Sequence, residues 1–249
     1  MNLLLIFRLV RVVLHMFTGM AIAATVFPWA GRERRDGIVR RWSRKLLAIC
    51  NVTVEQDPAS VPVLAQAMVV SNHVSWLDIF VLNSLHPCRF VAKAEIRSWP
   101  VLGWLAAAAG TVFIARGNRR ELRHIFKGIV AVLEQGERVA FFPEGTTANQ
   151  GQLLPFHANL FEAAIDAKVQ VQPFAVSYRD ASGALHAAVD FIGETTFAQS
   201  LISILNATPV QARVISMPAM STEGAHRREL AEAAQTVVAA ALGVSASAH

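Results

Sequence analysis

The sequence predicts an α/β fold: a mostly parallel mixed sheet flanked by helices, with an N-terminal membrane-associated helical segment. Three observations carry this. After residue 50, short runs rich in Val, Ile and Phe alternate with helix-like segments; strands separated by helices pair largely in parallel, with the helices covering the sheet. The apolar fraction is 53% and the charged fraction 16%, against roughly 45–50% and 25% in soluble proteins, so part of the apolar surface is expected to face lipid. Residues 12–30 are apolar apart from His15, close to the roughly 20 residues that a bilayer span requires.

Dense basic charge follows that stretch at once: Arg32, Arg34, Arg35, Arg40, Arg41, Arg44 and Lys45. Ile38, Trp42 and Leu46 recur there at every fourth position. This predicts a helix with one apolar face and a basic remainder, lying on an anionic membrane surface with its charge on the cytoplasmic side. A buried core helix is one alternative; a cleaved signal peptide fits less well, because the apolar stretch is long and its basic flank follows directly. A nucleic-acid patch is disfavoured because the other basic residues are scattered and no recognition motif accompanies them. The net charge of +5 attracts anionic lipid and anionic substrates alike. Whether the stretch spans the bilayer or dips into one leaflet stays open. Residues 1–50 are thus expected to form the membrane-associated segment and 51–249 a single α/β domain. Cys50 and Cys88 show no paired spacing and read as reduced, buried thiols in a cytosolic compartment.

Within 51–249, strands are expected at 67–72, 89–93, 110–116, 138–145, 171–178, 187–193 and 212–217. Helices are expected at 75–86, 96–108, 118–135, 157–167 and 223–242. Ligands of open α/β sheets bind beyond the carboxyl ends of the strands, and three such ends carry polar groups. Asn72 and His73 follow the first strand, Arg116 follows "TVFIA", and Pro143, Glu144, Gly145 and Thr146 follow "VAFF". Lys93 ends "RFVAK" and is a candidate anion partner by position, with a solvated surface lysine as its alternative.

His73 and Asp78 are five residues apart, about 140° round a regular helix, so they meet only if His73 stands in the turn before the helix. So placed, a neutral His73 can take a proton from a hydroxyl while Asp78 fixes its tautomer and stabilises the imidazolium. The chain lacks a GxSxG nucleophile elbow. A base without a serine partner favours acyl transfer to a bound alcohol over a serine-dependent lipase reaction; on spacing alone, a satisfied core or capping histidine is the alternative for His73. The first amides of the following helix are candidate oxyanion donors.

These residues resemble a known family. "NHVSWLD" (Asn72 to Asp78), "GTVFIAR" (Gly110 to Arg116), "FPEGT" (Phe142 to Thr146) and "VQPFAV" (Val171 to Val176) resemble, in order, the four motifs of the glycerolipid acyltransferases, the 1-acyl-sn-glycerol-3-phosphate acyltransferase family. The resemblance implies an O-acyltransferase that moves a fatty acyl group from acyl-CoA or acyl-acyl carrier protein to the sn-2 hydroxyl of 1-acyl-sn-glycerol-3-phosphate, giving phosphatidic acid. It implies His73 as general base supported by Asp78, and Arg116, Glu144 and Gly145, with Thr146 beside them, as headgroup-binding residues; because a bare carboxylate repels phosphate, Glu144 is expected to hold a substrate hydroxyl or to orient Arg116. No cofactor is expected beyond the acyl donor as co-substrate, and no metal. The partners are a lysophospholipid acceptor, the donor and membrane lipid; the place is the inner (cytoplasmic) membrane, with 51–249 as catalytic domain on its cytoplasmic face.

One departure matters. The third motif usually continues with Arg and Ser, whereas this chain has Thr147 and Ala148. A missing cation weakens the case for a phosphate monoester and keeps a lyso-ornithine lipid acceptor in play; Lys93 or His157 are the residues that could compensate. "WPVLGWLAAAA" (99 to 109) reads as a buried helix or as a wall of the acyl-chain channel. A non-catalytic lysolipid-binding membrane protein and a lysophospholipase are the readings from other classes. The first would not need His73, and the second would release fatty acid without consuming a thioester.

Overall fold

A computed structural model describes residues 3–114 and 119–245. A seven-stranded sheet is built from β1 (Val52–Gln56), β2 (Ala67–Ser71), β3 (Arg89–Lys93), β4 (Val112–Ile114), β5 (Arg138–Phe141), β6 (Val171–Arg179) and β7 (Val210–Ser216). Their spatial order is β1-β7-β6-β2-β5-β3-β4. Only β6 and β7 run antiparallel among the described pairs. The sheet is therefore mixed and mostly parallel, as the sequence predicts.

Both faces are covered, and the strands alternate accordingly. Val69, Phe174, Val176 and Tyr178 face one core, shared with α1 (Leu3–Thr25), α2 (Arg32–Ile49), α3 (Leu77–Leu85) and α7 (Phe197–Asn206). Met68, Val70, Val139 and Val171 face the other, shared with α5 (Arg119–Glu134), α6 (Glu162–Asp166) and α8 (Arg227–Leu242). The remaining helix, α4 (Leu102–Ala108), follows a 3-10 turn over Ala94–Ser98.

Several expectations change. The helix expected at 96–108 is broken at Trp99–Val101 because Pro100 lacks an amide donor and disfavours helix in the residue before it. The strand expected at 187–193 is not one: Ala187–Val189 is a 3-10 turn, and the Phe191 amide donates to Val74 O at 3.1 Å. That segment crosses the carboxyl edge of the sheet. Expected strand 138–145 stops at Phe141, ahead of Pro143, where Gly145 (φ +70) closes a turn with its N–H donating to Phe142 O at 3.1 Å. Strand β1 and helix α7 were not expected.

The N-terminal residues form a helical hairpin packed on the first core. Leu3–Trp29 is long and apolar enough to cross a membrane by length and composition. Leu5, Val12, His15 and Gly19 are buried, whereas Phe7, Val10, Val13, Leu14 and Phe17 point outward and are exposed. The apolar face of α2 turns inward rather than toward lipid: Leu46 is buried, and Trp42 stacks on His15 with ring centroids 4.4 Å apart. Several of its arginines are tied to carbonyls, Arg35 to Phe27 O and Arg44 to Ser84 O, so only part of the basic face is unengaged.

Candidate active site

Parallel pairing assembles the site. Val70 of β2 lies beside Phe141 of β5, so the chain leaves both strands at the same edge, and His73 comes to rest against the 142–148 loop. On the other flank, Ser71 lies beside Phe174 of β6. Asn72 extends this join with its side chain: Nδ2 donates to Val176 O at 2.9 Å and Oδ1 accepts from Val176 N at 2.8 Å. A buried carboxamide thus replaces one rung of the ladder.

His73 stands in the turn before α3, as its spacing from Asp78 requires. Its Nδ1 lies 2.8 Å from Asp78 Oδ2, and its ring stacks on Phe142 at 3.9 Å between centroids with 5° between planes. The loop also grips its backbone: His73 N donates to Glu144 Oε1 at 2.6 Å, and Ala148 N donates to His73 O at 2.8 Å. With Nδ1–H given to a carboxylate, Nε2 is the unprotonated nitrogen, and it makes no hydrogen bond among the described residues.

Asp78 is fully buried and saturated with donors. Besides His73, Oδ2 accepts from Val74 N at 2.8 Å and Ser75 N at 2.5 Å. Its other oxygen accepts from the Tyr178 hydroxyl at 2.5 Å. Four donors on one carboxylate hold it in place and stabilise its charge. This corrects one expectation: the amides of Val74 and Ser75 serve Asp78 and are not free to receive an oxyanion.

Glu144 also departs from its expected role. Its second oxygen accepts from Leu154 N at 2.9 Å, its residue is 4% exposed, and it does not line the cavity described below. Burial, with added repulsion from Asp78, pushes its carboxyl up to about 7 against the pull of the two amide bonds. Glu144 therefore fastens the His73 turn to the 153–154 loop instead of meeting a headgroup. The family pattern gave the residue type but not the direction of its side chain.

His73 opens on a cavity of about 1090 Å³. Its walls are mostly apolar and come from both regions of the chain: Met16, Met20 and Trp42 from the hairpin, Trp99, Leu105 and Ala109 from around α4. Gly145, Thr146, Thr147, Lys93 and Glu95 also line it. Thr147 is turned so that its hydroxyl donates to Phe191 O. His157 packs beside Gly145, where a Cβ would lie 3.3 Å from its ring. Arg116 lies outside the described residues. Cys50 is buried, and burial pushes the thiols of Cys50 and Cys88 up to about 12, so both stay protonated and inert.

Sequence reasoning missed Tyr178. It stood at the end of an expected strand, where an aromatic residue is unremarkable. Its signal was only its rarity, since it is the one tyrosine in the chain.

The Acyltransferase family model matches residues 51–177, which include β2, α3, the 142–148 loop and most of β6. A lyso-ornithine lipid O-acyltransferase of Pseudomonas aeruginosa is 36% identical, covering 96% of this chain and 93% of its own. A 1-acyl-sn-glycerol-3-phosphate acyltransferase of Neisseria meningitidis is 42% identical over 151 residues, 61% of this chain and 59% of that one. The crystal structure of the 1-acyl-sn-glycerophosphate acyltransferase PlsC from Thermotoga maritima shares the fold, with a TM-score of 0.65 at 20% identity over 95% of this chain and 96% of that one. The chain belongs to the acyltransferase family that includes the 1-acyl-sn-glycerol-3-phosphate and lyso-ornithine lipid acyltransferases.

Proposed function

We propose that the protein transfers a fatty acyl group from acyl-CoA or acyl-acyl carrier protein to the sn-2 hydroxyl of 1-acyl-sn-glycerol-3-phosphate, giving phosphatidic acid. The observation that carries this reading is a single one: His73 is locked through Nδ1 to Asp78 while the same ring borders a large, mainly apolar cavity. Nε2 takes the hydroxyl proton as the oxygen attacks the thioester carbonyl. The tetrahedral intermediate then collapses, the carbon–sulfur bond breaks, and the departing thiolate recovers the proton from the imidazolium. Asp78 stays ionised and stabilises that imidazolium. Apolar walls favour the acyl chain, each buried methylene contributing about 0.8 kcal/mol. Lys93 on the cavity wall and Arg116, which the family resemblance assigns to the headgroup, are the cations proposed to meet the phosphate.

One observation favours a second acceptor. Glu95 lines the same cavity as Lys93, and Thr147 brings no charge where the family usually has arginine. One cavity that offers both a carboxylate and an ammonium suits a zwitterionic amino-acid headgroup, as in lyso-ornithine lipid, and the Pseudomonas relative matches along nearly its whole length.

We place the hairpin in one leaflet, on the cytoplasmic side. In support, α1 lies against α4 and α7, with Arg8 bonded to Leu205 O at 2.5 Å, and exposes its apolar residues along the outer face.

The test uses membranes containing the protein, a labelled acyl-CoA and each acceptor in turn, with wild type beside His73→Ala. Transfer to lysophosphatidic acid that disappears in the variant is expected. Transfer only to the ornithine lipid moves the protein to the second acceptor. Free fatty acid without acyl transfer would make it a lysophospholipase, and activity surviving in His73→Ala would remove the proposed base. Binding of lysolipid without turnover of either acceptor, with acyl-carrier-protein donor also supplied, would favour a non-catalytic binder.

A further inference from the structure

We infer that Tyr178 is a positioning residue for the reaction: its hydroxyl, 2.5 Å from Asp78 Oδ1, sets the proton affinity of the Asp78–His73 pair and so the pH at which His73 becomes a base. The inference rests on His73 being the base proposed above.

Asp78 and Tyr178 arrive from different elements, α3 and β6, and both are wholly enclosed. Oδ2 already serves three donors, the His73 ring and the amides of Val74 and Ser75. Oδ1 has the Tyr178 hydroxyl and no other partner among the described residues. A carboxylate oxygen in a water-free core is costly without a donor, and the Tyr178 hydroxyl is the donor that satisfies Oδ1. It also draws charge away from the oxygen that faces His73, because hydrogen bonding to the ionised form favours that form. The phenol cannot ionise in any ordinary assay, since burial and the charge of Asp78 both push its pKa well above the usual value. It acts as a donor throughout.

The sign of the effect follows. Asp78 and His73 share a hydrogen bond, so their proton affinity belongs to the pair. Losing the tyrosine donor makes the carboxylate more basic, and the pair takes up its proton at a higher pH whichever atom holds it. Among the described residues, the other titratable groups near the pair include Glu144, bonded to the His73 amide and pushed up to about 7, Lys93 and Glu95 on the cavity wall, and His157 beside Gly145. All of them are present in every protein compared, and Glu144, which the charge of Asp78 repels, shifts together with the pair.

Because Tyr178 is the chain's one tyrosine, the bond can be weakened and strengthened separately. In Tyr178→Phe, we expect the acidic limb of kcat/KM to move up by about half to one pH unit. KM for both substrates should stay within about twofold. Biosynthetic replacement of tyrosine by 3-fluorotyrosine keeps the shape and makes the phenol a stronger donor, so the limb should move down. Opposite shifts support the inference, and the fluorinated protein supplies the test even where Tyr178→Phe does not fold. A limb at the wild-type position in the proteins that fold, or shifts in the same direction, would overturn it and leave Tyr178 as packing alone. His73→Ala, assayed in parallel, tests the base by itself: activity surviving there sinks the base, whatever Tyr178 does.

Discussion

The backbone N–H of His73 donates to Glu144 Oε1 at 2.6 Å across 71 positions of sequence, and this bond couples the turn before α3 to a buried carboxyl whose proton affinity is raised. Glu144 titrates at about 7 in the folded chain against an ordinary 4.5. Between those values the folded state holds the proton more tightly than the unfolded one. The stability this group contributes is therefore fully present below about pH 4.5 and lost as the pH rises through about 7, an effect on the order of 3 kcal/mol. Thermal unfolding should show wild type losing stability over that window, while Glu144→Gln loses less. An equal slope in the two proteins would mean that the folded carboxyl titrates normally.

Asp78→Asn keeps the shape and removes the charge. The amide would present hydrogens to a site already crowded with four donors, and it would turn His73 to the tautomer with its proton on Nε2. Turnover should fall by about 10³–10⁴ at neutral pH, as expected when a base is held in the wrong tautomer. Steady-state kinetics checks this. A loss under about tenfold would mean that His73 finds its orientation from Phe142 and the loop alone.

Asn72→Ala removes both contacts to Val176 and leaves a buried N–H and a buried C=O without partners. At about 1–3 kcal/mol for each group, denaturant unfolding should show a destabilisation of about 2–6 kcal/mol. Asn72→Asp should not rescue it, because a carboxylate accepts from the N–H but repels the carbonyl.

How much of this was readable from sequence depends on range. The polar strand ends were legible because they interrupt apolar runs, and the His73–Asp78 spacing carried its own geometric condition. The neighbourhood of β2 and β5, which brings His73 to the 142–148 loop, was not, since nothing local specifies that Val70 meets Phe141. Side-chain direction was also silent, so Glu144 was expected to face substrate when it faces the backbone. Phe191 and Ile192 looked like strand because apolar content alone does not separate a sheet strand from a buried crossing segment. Helix α7 did carry a usable signal in its capping box of Thr196 and Gln199. Strand β1 had little, because its exposed positions are polar and it lies at the edge of the sheet.

The hairpin offers the last prediction, through Gly19. A Cβ built there would lie 2.7 Å from Trp42 Nε1 and 3.1 Å from Cε2, closer than real contacts allow. The indole cannot easily yield: Nε1 donates to His15 O at 3.2 Å, its face stacks on the His15 ring, and His15 Nε2 lies 3.0 Å from Trp42 O. Gly19→Ala should therefore separate α1 from α2 and destabilise the protein by about 1–3 kcal/mol, the usual cost of overpacking. Trp42, Met16 and Met20 share the cavity wall, so the same change should also alter KM in the proposed acyl transfer. Gly37→Ala is the matched control, because it lies in α2 with nothing within 4 Å of its would-be Cβ, and alanine there should stabilise by up to about 1 kcal/mol through helix propensity. Thermal unfolding in detergent separates the two. Equal effects from the two variants would mean that α1 and α2 do not pack this closely and that the cavity wall they form is not fixed by Gly19.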